Sequence, residues 1–140
     1  RRLLPVAHAA SSGAWGYEAR TAAIRIAGCS LKARRIEHRV AGADANPYLV
    51  LCSILSGALM GIESQWEPAK PITGDAYSQD HAHLPYDWAS AIDAFNRGKH
   101  VEQIYSKRLK RMFVQCKQQE LSRFTRHVTD FEYHSYLEAV

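Results

Sequence analysis

Three charged residues spaced two apart, Arg35, Glu37 and Arg39, are the part of this chain best suited to chemistry. On a β-strand, side chains two apart share a face. Residues 34–40, read as a strand, therefore present cation, carboxylate and cation in a row. Arg34, Ile36, His38 and Val40 take the opposite face. A carboxylate ligates a hard divalent cation. Flanking guanidiniums grip phosphate or carboxylate oxygens in bidentate fashion. The set suits a site where a metal and phosphate oxygens meet. It equally suits an exposed strand whose alternating charges pair with each other, and spacing alone leaves both readings open.

Other reactive residue types are sparse. His81 and His83 sit in a proline-containing stretch with no third ligand at suitable spacing, so a solvent-exposed pair is expected rather than a metal site. His38 alternates away from Glu37 and is expected at a sheet-packing or interface position. Cys29 lies in the turn after the first basic segment, and packing is the expected role. Trp66 and Trp88 flank the long loop and are expected to anchor it. The chain contains no Ser/His/Asp arrangement and no P-loop.

The elements that must position these residues are legible in outline. Residues 1–13 read as an irregular lead-in. Residues 14–27 suit a strand, with Ala23 and Arg25 on one side and Ile24 and Ile26 on the other. Gly28 to Lys32 is a turn, and the strands over 1–42 are expected to pair antiparallel. Asn46 followed by Pro47 marks a helix start, because asparagine caps free amides and proline fits the first helical position. Residues 46–63 are apolar on almost every face, which predicts a buried helix. Residues 64–86 hold Pro68, Pro71, Gly74 and Pro85 and predict a long loop. Residues 87–140 predict C-terminal helices over 87–97, 100–128 and 130–137.

Length and composition add bounds. A chain of 140 residues makes one domain the default. Three widely spaced cysteines, without a C-x-x-C pair, indicate neither a disulfide framework nor a zinc knuckle, and a reducing cytoplasm is expected. The longest apolar run, Tyr48 to Ile62, is shorter than the ~20 residues a bilayer span needs. Net charge is +4 and the pI near 9.1. Arg20, Arg25, Lys32, Arg34, Arg35 and Arg39 share one basic window, and Lys107, Arg108, Lys110 and Arg111 form a second. Such windows fit bound nucleotide or nucleic acid. Two strands do not make a stable sheet alone, and the 46–63 helix has more apolar surface than its neighbours can cover. Both points, and a start at Arg1, predict a piece of something longer.

Arg35-Ile36-Glu37-His38-Arg39, a Gly42-Ala43-Asp44 turn and Ala45-Asn46-Pro47-Tyr48-Leu49 closely resemble the C-terminal signature of the glutamine synthetase superfamily. Glu18 to Ile26 resembles that family's arginine-bearing strand. His127 to Tyr133 is similar to the chain end of the gamma-glutamylpolyamine synthetase branch. Nearly the whole chain lies along the family's C-terminal part. The resemblance implies an α+β fold of the glutamine synthetase/guanido kinase-like kind: the C-terminal strands of a curved antiparallel sheet, then a buried helix and an amphipathic helical tail. It implies an ATP-dependent glutamate–amine ligase acting through a gamma-glutamyl phosphate, with ATP and Mg2+ or Mn2+ as cofactors. The implied substrates are glutamate and either ammonia or a polyamine. No membrane or nucleic-acid partner is expected, the implied setting is cytoplasmic, and the family forms double-ring dodecamers.

Carried over by position, Glu37 resembles the glutamate that ligates the metal bridging ATP phosphates. Arg39 and Arg20 resemble arginines that bind the glutamate substrate and act in catalysis. Arg20, Arg25, Lys32 and Arg35 resemble nucleotide-binding positions. The Gly28–Lys32 link is one residue shorter than in ammonia-using bacterial members. The family's other metal ligands and its flap glutamate have no counterpart here, so the resemblance predicts that this chain alone is inactive. Two further readings stand beside it: a basic module holding nucleic acid or nucleotide, and a non-catalytic or regulatory family member.

Overall fold

A computed structural model describes residues 10, 12–28, 30–137 and 139. They divide into two compact units, residues 1–87 and residues 88–140.

The first unit is built on a small sheet of three strands, β1 (Trp15–Tyr17), β2 (Ile24–Ala27) and β3 (Arg35–His38), in that spatial order. β2 and β3 pair antiparallel as expected, with Arg25 opposite Glu37 and Ile26 opposite Ile36. The stretch 14–27, read from sequence as one strand, is two. β1 pairs with β2 in parallel, Gly16 opposite Arg25, so the sheet is mixed rather than wholly antiparallel. Parallel neighbours ordinarily need a long crossover. Here β1 has only three residues, about 7–10 Å at strand rise, and residues 18–23 suffice to bring the chain back.

The proline-containing loop wraps β1. Trp15 donates its indole N–H to the Ala69 carbonyl at 2.6 Å. Ile72 donates its amide to the Trp15 carbonyl at 2.8 Å, and Gly13 donates to Ala82 at 3.1 Å. Gly16 must be glycine here, because a Cβ would stand 2.9 Å from the Ile72 carbonyl oxygen. Trp15 thus anchors the loop, whereas Trp66, expected in that role, is largely exposed. A 3-10 turn, Ala76–Ser78, is capped by Asp75, and the Ala76 amide donates to Thr21 Oγ1 at 2.9 Å. The core gathered around these contacts is small: Ala14, Ala19, Ala22, Ile72 and Ala76.

α1 (Pro47–Glu63) starts where Asn46 and Pro47 predict, with Asn46 Oδ1 accepting from the Tyr48 amide at 3.0 Å. The expectation that this helix is buried is not met. None of its residues is buried, and Tyr48, Leu51, Leu55, Leu59 and Ile62 are each more than half exposed. No strand of this unit packs extensively against it.

The second unit is a helical hairpin, α2 (Trp88–Arg97) and α3 (Val101–Thr125), followed by α4 (Asp130–Tyr136). Ile92 and Val114 are buried. Phe95 packs on Phe113 and Tyr105, and Trp88 packs on Phe124. α3 is broken at Ser106, whose backbone is non-helical (φ 63°, ψ 153°). Ser106 Oγ accepts from the Leu109 amide at 3.4 Å, which caps the longer segment. α4 opens on a reciprocal cap: Thr129 Oγ1 accepts from the Glu132 amide, and the Glu132 carboxylate accepts from the Thr129 amide at 2.8 Å. Among the described residues no helix is long and apolar enough to cross a membrane.

Replacing Asn46 by alanine removes the α1 cap and is expected to lower stability by ~1 kcal/mol, read by urea unfolding. At α4, the Thr129 backbone and side-chain hydrogen bonds hold the Glu132 carboxyl below its ordinary value of 4.5. A depressed carboxyl stabilises above its unfolded value and loses that contribution as pH falls through the folded one. Helix content over α4 is therefore expected to drop in acid below about pH 4.5. Glu132→Gln is expected to flatten this pH dependence in circular dichroism.

Candidate functional site

Strand alternation and the β2–β3 register place Arg25, Arg35, Glu37 and Arg39 together. The Glu37 carboxylate is their centre. Its Oε2 accepts from Arg25 Nη1 at 3.0 Å and its Oε1 from Arg35 Nη2 at 2.9 Å. Arg39 Nη1 lies 3.6 Å from Oε2. Arg39 is fixed further: its Nε donates to the Arg20 carbonyl at 3.0 Å, and its amide to the Ala23 carbonyl at 2.8 Å. Partial burial pulls the Glu37 carboxyl up, but the charges and hydrogen bonds of Arg25 and Arg35 outweigh it and hold the group below the usual carboxylate range.

Arg25 carries a second carboxylate. Its Nη2 donates to Glu18, just past β1. Glu18 Oε1 accepts from the Gly28 amide at 2.9 Å. These two hydrogen bonds, Arg25 foremost, hold the Glu18 carboxyl low. Pairing with Glu18 in turn raises Arg25. Arg25 Nε is buried and has no hydrogen-bond partner among the described residues.

The six sequence-predicted site residues thus divide. Arg25, Arg35, Glu37 and Arg39 converge. Arg20 joins them through its carbonyl, with its side chain exposed. Lys32 is exposed in the β2–β3 link and makes no ion pair with the cluster. The charges of the strand pair with one another, as one of the two earlier readings expects. Sequence reasoning missed Glu18. Its only signal was a lone acidic residue ending the Trp15-Gly16-Tyr17 strand.

The remaining candidates are placed elsewhere. The His81 ring shares a hydrogen bond with Gln79 Oε1 at 3.3 Å, and the His83 ring packs on Tyr86. His38 is an exposed residue of β3, opposite Ile24. Cys29 lies outside the described residues. Among the described residues no three of His, Cys, Asp and Glu group as a metal site would require.

The profile of the family described as "Glutamine synthetase, catalytic domain" matches residues 1–136. Gamma-glutamylputrescine synthetase PuuA of Escherichia coli (strain K12) is 33% identical over 132 residues, covering 94% of this chain and 28% of the relative. Gamma-glutamylethanolamide synthetase GlnA4 of Streptomyces coelicolor is 31% identical, with the same two coverages, 94% and 28%. A solved structure titled "Apo GmaS without ligand" superposes with a TM-score of 0.78 at 26% identity, over 95% of this chain and 31% of that one. The chain therefore spans under a third of the length of these relatives.

With Glu37 replaced by glutamine, three guanidiniums lose their shared counter-charge. Glu37→Gln is expected to lower the thermal midpoint, and inorganic phosphate to raise the variant's midpoint by more than it raises the wild type's. Equal responses to phosphate in a thermal-shift titration would refute this account of the cluster.

Proposed function

Because the chain belongs to the glutamine synthetase family, matching its catalytic domain, we propose that it is the C-terminal part of an ATP-dependent glutamate–amine ligase. The observation that carries the reading is the Glu37-centred cluster, three arginines on one carboxylate, inside the matched region. Relatives named for putrescine, ethanolamide and isopropylamine products or substrates support an organic amine as the nucleophile. Ammonia stays in the substrate class through relatives named glutamine synthetase.

ATP supplies the phosphoryl group that activates the γ-carboxylate of glutamate for attack by the amine. Transfer of that kind depends on placed positive charge more than on covalent chemistry. Arg39 and Arg20 bind and orient the glutamate carboxylates. The exposed cations Arg20, Lys32 and Arg35 meet nucleotide phosphate oxygens. Arg25, the fourth nucleotide position of the resemblance, is held between Glu18 and Glu37. A metal does not fit the described residues of this chain by themselves, since no three ligand types group. Glu37 would give one carboxylate to a set completed by residues outside this chain. β3 carries no phenylalanine, tyrosine or tryptophan on which a base could stack, which speaks against a nucleic-acid groove.

The longer protein carrying this sequence is expected to convert glutamate and ATP to a γ-glutamyl amide, ADP and phosphate with at least one of ammonia, putrescine, ethanolamine or isopropylamine. The 140-residue chain by itself is expected to give no product. Coupled ADP release with product identified by mass spectrometry decides both points. Turnover by the short chain would overturn its incompleteness, and failure of the longer protein with every amine would overturn the ligase reading.

A further inference from the structure

We propose that Glu18 is a positioning residue of this site, holding the Arg25 guanidinium in place against Glu37. The inference rests on the ligase reading above. Glu18 has a φ of 51°, a left-handed backbone that disfavours any residue with a Cβ. Strain of this kind persists where the surrounding structure demands that side chain. Both of its carboxylate oxygens are engaged, Oε1 by the Gly28 amide at 2.9 Å and Oε2 by Arg25. The anchoring amide is itself fixed. Gly28 has a φ of 114°, and a Cβ there would stand 2.4 Å from the Ala33 carbonyl oxygen.

A continuous run of bonds results: the Gly28 amide, Glu18, Arg25, then Glu37. It starts in the β2–β3 link, passes the end of β1 and the middle of β2, and finishes on β3. The Arg25 side chain is only 17% exposed, and both terminal nitrogens are taken by carboxylates. A guanidinium so neutralised is a poor phosphate ligand and a good brace. It fixes one oxygen of Glu37 while the other meets Arg35. Without Glu18, Arg25 is free to turn both terminal nitrogens onto Glu37 or to leave it. Either movement disturbs Glu37, to which Glu18 is linked through Arg25. The effect belongs to turnover and not to nucleotide binding.

The test uses the longer protein, with Glu18→Gln, Arg25→Lys and the double variant compared at equal folded fraction by circular dichroism. Glu18→Gln is expected to lower kcat by up to about a hundredfold, the order that a misplacement of about 1 Å at a reacting centre costs, with the KM for ATP shifted less than about threefold. The double variant is expected to turn over no more slowly than Arg25→Lys alone, because coupled residues are non-additive. Glu18→Asp, which keeps the charge, is expected to recover part of the lost kcat. Multiplicative losses in the double variant, an unchanged kcat, a loss confined to the KM for ATP, or a Glu18→Gln protein that no longer folds would each overturn the proposal. A wild-type protein that forms no γ-glutamyl amide would bring down the ligase reading and this inference with it. An active wild type with an unaffected Glu18→Gln variant brings down the inference alone.

Discussion

One carboxylate, Glu37, keeps three like-charged guanidiniums on one small sheet. Like charges at this range repel unless a counter-charge sits among them. The position of Glu37 on β3 therefore constrains everything near it. A slip of one residue between β2 and β3 would carry Glu37 to the other face and leave Arg25 without it. The apolar contribution to holding that register is slight, because the buried apolar residues described in this unit are alanines and Ile72. In this sheet the charged face carries much of the specification that a larger protein assigns to its interior. Ion pairs with this much solvent contact add little stability by themselves, so their service is to geometry more than to strength.

The most legible parts of the molecule were those written in local code. β3 follows from the two-residue alternation of Arg35, Glu37 and Arg39. The start of α1 follows from Asn46 and Pro47, whose capping needs only near neighbours. The break between β1 and β2 was hidden, because residues 14–27 keep an apolar alternation and Glu18 to Ala23 contain neither glycine nor proline. The kink at Ser106 was hidden for the same reason: a serine in mid-helix gives no warning of a positive φ. Glu18 escaped notice because its partners, Gly28 and Arg25, come to it only after the sheet has formed. The burial expected for α1 failed on a different ground. Apolarity says what a helix prefers, but burial needs a second surface.

That second surface bears on how the two units relate to the family. The relatives are more than three times as long as the matched segment. The sheet has three strands and an apolar helix with no buried residue. Membership of a longer protein, as proposed above, would account for both features at once.

The pairing of charge on the sheet also redistributes the basic character of the chain. Arg25, Arg35 and Arg39 share the carboxylates Glu37 and Glu18, while Arg20, Lys32 and Arg34 add exposed positive charge beside them. Lys107, Arg108 and Arg111 line one shallow surface of α3 with Met112 and Gln115, and carry no ion pair among the described residues. The high pI is thus expressed at two places, the sheet and α3. Retention on a cation exchanger, and its loss with added salt, would report on both together and could not be read as a property of the site alone.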